Sequence, residues 1–534
     1  MEIIFAVVFV FMLIIRINNP DLWQPWMGGE KPMNFAFFNA VLKTVYFPPE
    51  NPWFSGHYLN YYYYGYVMAA IPTKLTGIMP SIAYNLVLPS WYAMAGIGVF
   101  CIGYNLVTGL SHSNQLYGNS PFSDWNASTH HQKSTRRWAY FAGLFALLAV
   151  MLFGNLYENK ILIKHLPEMV PANWAEEHPE NPSGGKFAAT WDLITGKTEL
   201  PGNNSQWYFE ASRPILNGEA DTPIAEFPYF TFLYGDMHPH MLTMLYYALA
   251  FGWMLSLLIY PINRMKWPER TLSLCIAAVV FGSFSASHTW DFYPFLGLAV
   301  ITLGWSIWQT KPGPTKTTVL VIAGFVVAFV GLAIAFYSPF THWFKTEYMS
   351  IILWTGAKTP IGDYLIVFGL SMFIVISLLV KESLGDLKRA YHKWPDYKAL
   401  TKILVLISLV LIYLVSSLIW KSNYQVLRLG LFILIGLGYQ VFFRRGQSKL
   451  QMVTWILFSI GFLLTLLVEF VVLKGDVGRS NMVFRMYIEA WFYFGISSAL
   501  ALTLLLTGIK NWPQCTSIPW IIILAILVIG SLSF

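Results

Sequence analysis

Apolar runs long enough to cross a bilayer recur along nearly the whole chain, and they limit the possible folds more than any other feature. The hydrocarbon core of a membrane is about 30 Å thick, so a crossing helix needs about 20 apolar residues. Runs of this kind are expected at about 2–16, 81–109, 138–157, 240–260, 271–287, 292–309, 318–337, 361–380, 403–420, 426–443, 450–473, 484–508 and 518–534. Backbone N–H and C=O groups must pair internally in lipid, so these spans are read as helices. The predicted fold is all-α: a polytopic helical membrane protein of about 13 transmembrane helices. Residues 1–534 form a single transmembrane domain. Of the 534 residues 56% are hydrophobic and only 11% charged, against about 25% charged in soluble proteins. The first run, MEIIFAVVFVFMLII, is short, but RINNPDLW follows it without a small-residue cleavage site, so it reads as an uncleaved helix. The sequence ends inside another apolar run, WIIILAILVIGSLSF. Either it stops within a last helix or the sequence is a fragment.

The net charge is +7, with the basic residues spread between the spans. They read as topology signals and not as a nucleic-acid surface, so no nucleic-acid partner is expected. With the N-terminus inside, the inner loops hold 18 Lys or Arg in 83 residues, against 13 in 188 for the outer segments. That is about a threefold bias in the direction of the positive-inside rule. It holds if residues 60–78, which contain most of a tyrosine cluster, do not cross. The expected localisation is a multi-pass protein of the cell membrane with its active face outside. Cys101, Cys275 and Cys515 have no metal-ligand spacing and no disulfide pattern.

Two long outer segments result, 17–80 and 158–239. Long loops on a rigid scaffold usually carry function. The first contains NYYYYGY. Tyrosines suit a membrane boundary, where the ring meets lipid and the hydroxyl stays wet, or a cleft where rings stack on sugars. No short internal repeat and no inverted-repeat symmetry of the transporter kind is evident.

Four stretches carry candidate chemistry. In NNPDLWQPWMGGEKPMNFAFFNAV, Asp21 and Glu30 follow the first span. Gly28 and Gly29 allow a bend just before Glu30, which is either a general base or a solvated loop acid beside Lys31. In EFPYFTFLYGDMHPHMLTML, Asp236, His238 and His240 alternate, so in an extended segment they face one way. They are read as ligands for a divalent metal (Mg or Mn), as a proton-handling group, or as a cap of the next helix. In SASHTWDFYPF, His288, Trp290 and Asp291 occupy a short turn between spans, where ionisable residues are function candidates or helix caps. In KGDVGRSNMVFRMYIEAW, Arg479 and Arg485 either hold a lipid phosphate or snorkel to headgroups, and Arg485 is four residues from Glu489. Glu469 and Arg428 are isolated charges within spans. No P-loop, Gly-x-Ser-x-Gly elbow or His-Glu-x-x-His occurs, so ATP hydrolysis is not supported. Asn126 and Asn203 head acceptor sequons, of which only Asn203 lies on the expected outer side.

GGEKPMNFAFFNAV, NYYYYGY, EFPYFTFLYGDMHPHM, HTWDFYP and RSNMVFRMYIEAW occur in that order across residues 18–491. With these motifs the chain resembles the "YYY" membrane proteins of archaea and Chloroflexi. It departs from their pattern at Asn34, where an Asp commonly follows GGEKPM, and this leaves Glu30 as the stronger carboxylate candidate. That family in turn looks like the C-type (GT-C) glycosyltransferases, in layout and in a single acid after the first span.

The resemblance implies a membrane glycosyltransferase with a polyprenyl-phosphate-linked sugar as donor and membrane lipids around it. Glu30 and Asp236 are the expected catalytic acids, with Glu30 deprotonating or orienting the acceptor hydroxyl. Asp236, His238 and His240 would bind a metal or the leaving phosphate. Tyr61, Tyr62, Tyr63, Tyr64, Trp290 and Asp291 would line the cleft, and Arg479 or Arg485 would hold the donor phosphate. The alternative is a lipid or polysaccharide transporter without covalent chemistry.

Overall fold

The computed structural model describes residues 1–23, 29–113, 129–171, 173–181, 184–198, 208–216, 222–310, 315–346, 350–393, 424–444, 446–475 and 477–534. Among them are 10 helices long and apolar enough to cross a membrane. Two further expected spans coincide with the helices Glu2–Asn18 and Thr289–Trp308. The chain is a polytopic helical membrane protein. The expected span 403–420, Gly28 and the sequons at Asn126 and Asn203 lie outside the described residues.

The helix Ser480–Thr507 forms the centre. Its most apolar stretch is 89% buried, against 11% for Lys316–Trp343 and 17% for Gln514–Leu532. The two outermost helices point apolar side chains away from the protein, so lipid must cover them. Around the centre pack Pro80–Ser113, Thr129–Leu147, Lys449–Leu467 and the helix beginning at Ile361. Small residues set the closest approach. A Cβ on Gly103 would lie 2.8 Å from the Ala142 carbonyl oxygen, and one on Gly143 would lie 2.8 Å from that of Phe100. This close backbone approach is how membrane helices gain packing without a hydrophobic drive between them. Just beyond Leu147 the chain widens into a π-helical turn, Leu148–Leu152. Such a turn leaves carbonyls without helical partners. Here the Ala149 oxygen accepts from Trp491 Nε1 at 3.0 Å, and the Met151 oxygen accepts from the Tyr92 hydroxyl at 2.6 Å.

The span expected at 450–473 ends early, at Leu467. Val471–Leu473 leaves as a strand antiparallel to Ile351–Leu353, with Ile351 opposite Leu473. Glu469 explains the break, because a carboxylate cannot stay in an apolar span unpaired. Outside the helix it meets Arg479 Nη1 at 2.9 Å and the Thr359 N–H at 3.0 Å, while Lys358 Nζ donates to its backbone oxygen at 2.7 Å.

The tyrosine segment folds as a helix, Tyr64–Thr76, that Gly77 ends at φ +68°. Its 13 residues rise only about 20 Å, less than the roughly 30 Å of a hydrocarbon core. Residues 58–64 instead lace onto the end of Lys316–Trp343. The Tyr58 hydroxyl donates to the Trp343 oxygen at 3.0 Å, and Asn60 exchanges two 2.9 Å hydrogen bonds with the Lys345 backbone. Tyr62, Tyr63 and Tyr64 set their rings against Phe344, Phe340 and Tyr337, at 5.1, 5.2 and 5.2 Å. The cluster clasps this segment to a helix, with Tyr63 and Tyr66 enclosed by protein and Tyr58, Tyr61, Tyr62 and Tyr64 half-buried.

Candidate functional site

Two short connections meet at one end of the bundle. One ends at Glu30, which precedes the helix Lys31–Lys43 with Pro32 in its first turn. The other runs from Gly235 to His238, between the helices Pro228–Tyr234 and Pro239–Ile259. Gly235 has φ +73°, and a Cβ there would lie 2.6 Å from Arg16 Nη1. Tyr84 fixes this turn: its hydroxyl accepts from the Met237 N–H at 2.8 Å and donates to the Gly235 oxygen at 3.4 Å.

The connections are joined through the sequence-predicted residues. The Glu30 N–H donates to Asp236 Oδ2 at 2.8 Å, and Glu30 Oε2 lies 2.8 Å from His238 Nδ1. On the far side of the imidazole, Nε2 lies 3.4 Å from the Tyr61 hydroxyl. A second imidazole stands beside the first. The rings of His238 and His240 are 4.9 Å apart, and His240 Nε2 is 3.5 Å from Glu226 Oε2. Glu226 also accepts from Thr231 at 3.0 Å. The site is thus two carboxylate–imidazole pairs side by side. The Glu30 and His238 side chains are 41% and 27% exposed, so this pair is open to a ligand, whereas His240 is buried.

Electrostatics follows from the pairing. Burial favours a neutral Glu30, but the hydrogen bond and charge of His238 outweigh it and hold the carboxyl below its ordinary value. Burial likewise favours neutral His238, and Glu30 outweighs it, so the imidazole is raised. Asp236 is pushed up to about 6, mainly by burial, against the pull of the Glu30 N–H, His238 and Lys31. Its Oδ1 is buried without a hydrogen-bond partner among the described residues. Burial, reinforced by the Glu30 charge, raises the Tyr61 phenol, so it stays a donor.

Several expectations are corrected. His238 is extended but the helix starts at Pro239, so Asp236, His238 and His240 do not alternate along one extended strand. Among the described residues no group of three or more His, Cys, Asp or Glu is arranged to hold a metal ion. Arg479 is fully buried in its ion pair with Glu469 and does not reach the site. Tyr63 and Tyr64 turn toward Phe340 and Tyr337. Asp291 is also fully buried, 2.9 Å from His288 and accepting from Tyr247 at 2.7 Å. By contrast, Arg485 lies over the Trp290 ring at 4.8 Å, and Tyr62 meets the His288 ring at 6.1 Å. Tyr61 and Tyr62 both feel the Arg485 charge. Asn34 is buried and accepts from the Tyr66 hydroxyl at 2.7 Å, a structural role.

Four residues of the site were not found from sequence. Glu226 gives no spacing signal, since it pairs across a helix. Tyr84 lies inside an apolar span. Arg16 reads as a membrane-end charge but is buried, bonded to Asn85 and close enough to Asp236 to feel its charge. Lys31 reads as a solvated partner of Glu30 and is also buried, near Asp236.

A family model described as "Uncharacterized membrane protein (DUF2298)" matches residues 1–494. The chain belongs to the DUF2298 family. The match takes in every residue of the site, from Arg16 to Arg485. No curated protein and no solved structure matches this DUF2298 member.

Proposed function

We propose that this end of the bundle faces outward and is the active site of a membrane glycosyltransferase, which moves a sugar from a polyprenyl-phosphate donor to an acceptor hydroxyl. The observation that carries the reading is the accessible Glu30–His238 pair, separated by Tyr61 and Tyr62 from the guanidinium of Arg485. A carboxylate behind an imidazole fixes its tautomer and stabilises the imidazolium. The acceptor O–H gives its proton to His238 Nε2 as its oxygen bonds to the anomeric carbon. The anomeric carbon–phosphate oxygen bond breaks, and the electron pair leaves with polyprenyl phosphate. Arg485, held flat on Trp290, offers a forked donor pair to that phosphate.

The test is purified protein with a short-chain polyprenyl-phosphate sugar and a pool of acceptors, scored for free polyprenyl phosphate and glycosylated product. Product that depends on Arg485 and Glu30 supports the reading. The second reading is a transporter of lipid or polysaccharide. Asp291 and Glu489, buried on membrane helices, favour it, since such acids often mark transport pathways. Donor movement across vesicles without product formation would select it.

A further inference from the structure

Below the Arg485–Trp290 contact lies a second group of ionisable side chains that the proposed reaction does not use. Asp291 and Glu489 are both fully buried, and His288 is nearly so. Asp291 Oδ2 is well supplied: it accepts from the Tyr247 hydroxyl at 2.7 Å and from the Thr243 hydroxyl at 3.2 Å, while Oδ1 faces His288 Nδ1 at 2.9 Å as an ion pair outside hydrogen-bond geometry. Glu489 is not. Its one hydrogen bond among the described residues comes from Tyr493 at 3.4 Å, and its Oε2 is buried without a partner. Asp291 is near enough to act on it electrostatically. Arg485, one turn earlier on the same helix, is directed to the Trp290 ring.

Charge balance then decides the state of the cluster. The groups facing Glu489 from the packed helices are Tyr247, Asp291 and, on its own helix, Tyr493. His288 reaches the cluster through Asp291. Of the two carboxyl groups, Asp291 is paired with the imidazole and Glu489 is not. A second unpaired carboxylate inside a bundle is strongly disfavoured, whereas a carboxylic acid in an apolar site can stay neutral and donate a hydrogen bond. We propose that His288, Asp291 and Glu489 form a proton-binding site, in which Glu489 carries one proton beside an Asp291–His288 ion pair. The His288 ring meets Tyr62 of the site above at 6.1 Å, so the proton-binding site lies directly beneath the cleft. The site serves either proposed function, as a sink for the acceptor's proton or as a coupling site, and does not depend on the choice between them.

The full-length protein in lipid nanodiscs allows a direct test by infrared difference spectroscopy at neutral pH. A protonated carboxyl has its own carbonyl band, and Glu489→Gln, close in shape to the neutral acid, should remove one acid's worth of it without changing the melting temperature. His288→Gln removes the cation paired with Asp291. Asp291 should then take up a proton too, and the band assigned to the pair should roughly double. Absence of a band that Glu489→Gln removes would overturn the proposal. So would an unchanged band in His288→Gln.

Discussion

Replacing Glu30 with Gln tests the site most directly. The change keeps side-chain length and an acceptor oxygen but removes the charge 2.8 Å from His238 Nδ1. His238 then loses the group that raises its proton affinity and fixes its tautomer. Without the carboxylate that orients it, His238 is a poorly positioned base; general-base catalysis is worth about 10²–10⁴-fold, and a fall within that range is expected in sugar transfer. The stability cost is small, because Glu30 is 41% exposed and solvent screens the pair; about 0.2–1 kcal/mol is the measured range for such pairs. Its pH dependence has a definite sign. Glu30 has a depressed value, so its contribution is present above the unfolded carboxyl value and is lost as pH falls through the folded one. His238 has a raised value, so its contribution is complete below the unfolded imidazole value and is lost as pH rises through the folded one. The melting difference between wild type and Glu30→Gln should therefore peak between roughly pH 4.5 and 6.5 and shrink on either side. Wild-type transfer rates in the variant would refute the role of Glu30 in orienting and stabilising the His238 base. A melting difference that keeps growing toward pH 8 would refute the pairing.

Arg485→Ala should weaken donor-lipid binding at least tenfold with near-normal expression, whereas Arg479→Ala leaves the buried Glu469 without its paired charge and should cost about 3–5 kcal/mol; detergent melting and lipid binding together separate the two. Gly235→Ala places a Cβ against Arg16 at a positive φ and should cost on the order of 1–2 kcal/mol, read as a lower melting temperature, and an unchanged melt would show that the turn relaxes. Chelation with EDTA should leave donor binding and the His238 titration by NMR unchanged, and rescue of lost activity by Mg or Mn would place a metal at Asp236. Cysteines introduced singly at His57 and Pro80 should be labelled from the same side of the membrane, and labelling from opposite sides would mean that the tyrosine helix crosses.

The spans were legible because apolar length is a property of the sequence alone. The exception at 450–473 shows where this stops: Glu469 sits in an apolar run, and only its partners, Thr359 110 positions earlier and Arg479 10 positions later, show why the helix breaks there. The Glu30, Asp236 and His238 motifs were legible as chemistry, since charged groups at a span boundary need a reason. Their pairing was not. Glu226 with His240 and Tyr84 with Gly235 are contacts across helices, and no local periodicity encodes them. The two arginines show the same limit. Arg479 and Arg485 look alike in sequence, six positions apart, yet one is sealed in an ion pair and the other lies against an indole.

The lacing of residues 58–64 onto positions 337–345 ties the site to the state of the bilayer. The helix Lys316–Trp343 is mostly covered by lipid, so its tilt follows membrane thickness. Each turn at its end is gripped by a neighbour of Tyr61: Tyr64 at position 337, Tyr63 at 340, Tyr62 at 344 and Asn60 at 345. A tilt of that helix must drag the strap and with it the phenol facing His238. Thinner or thicker bilayers should therefore retune the gap between Tyr61 and the imidazole without any change in the protein's own chemistry.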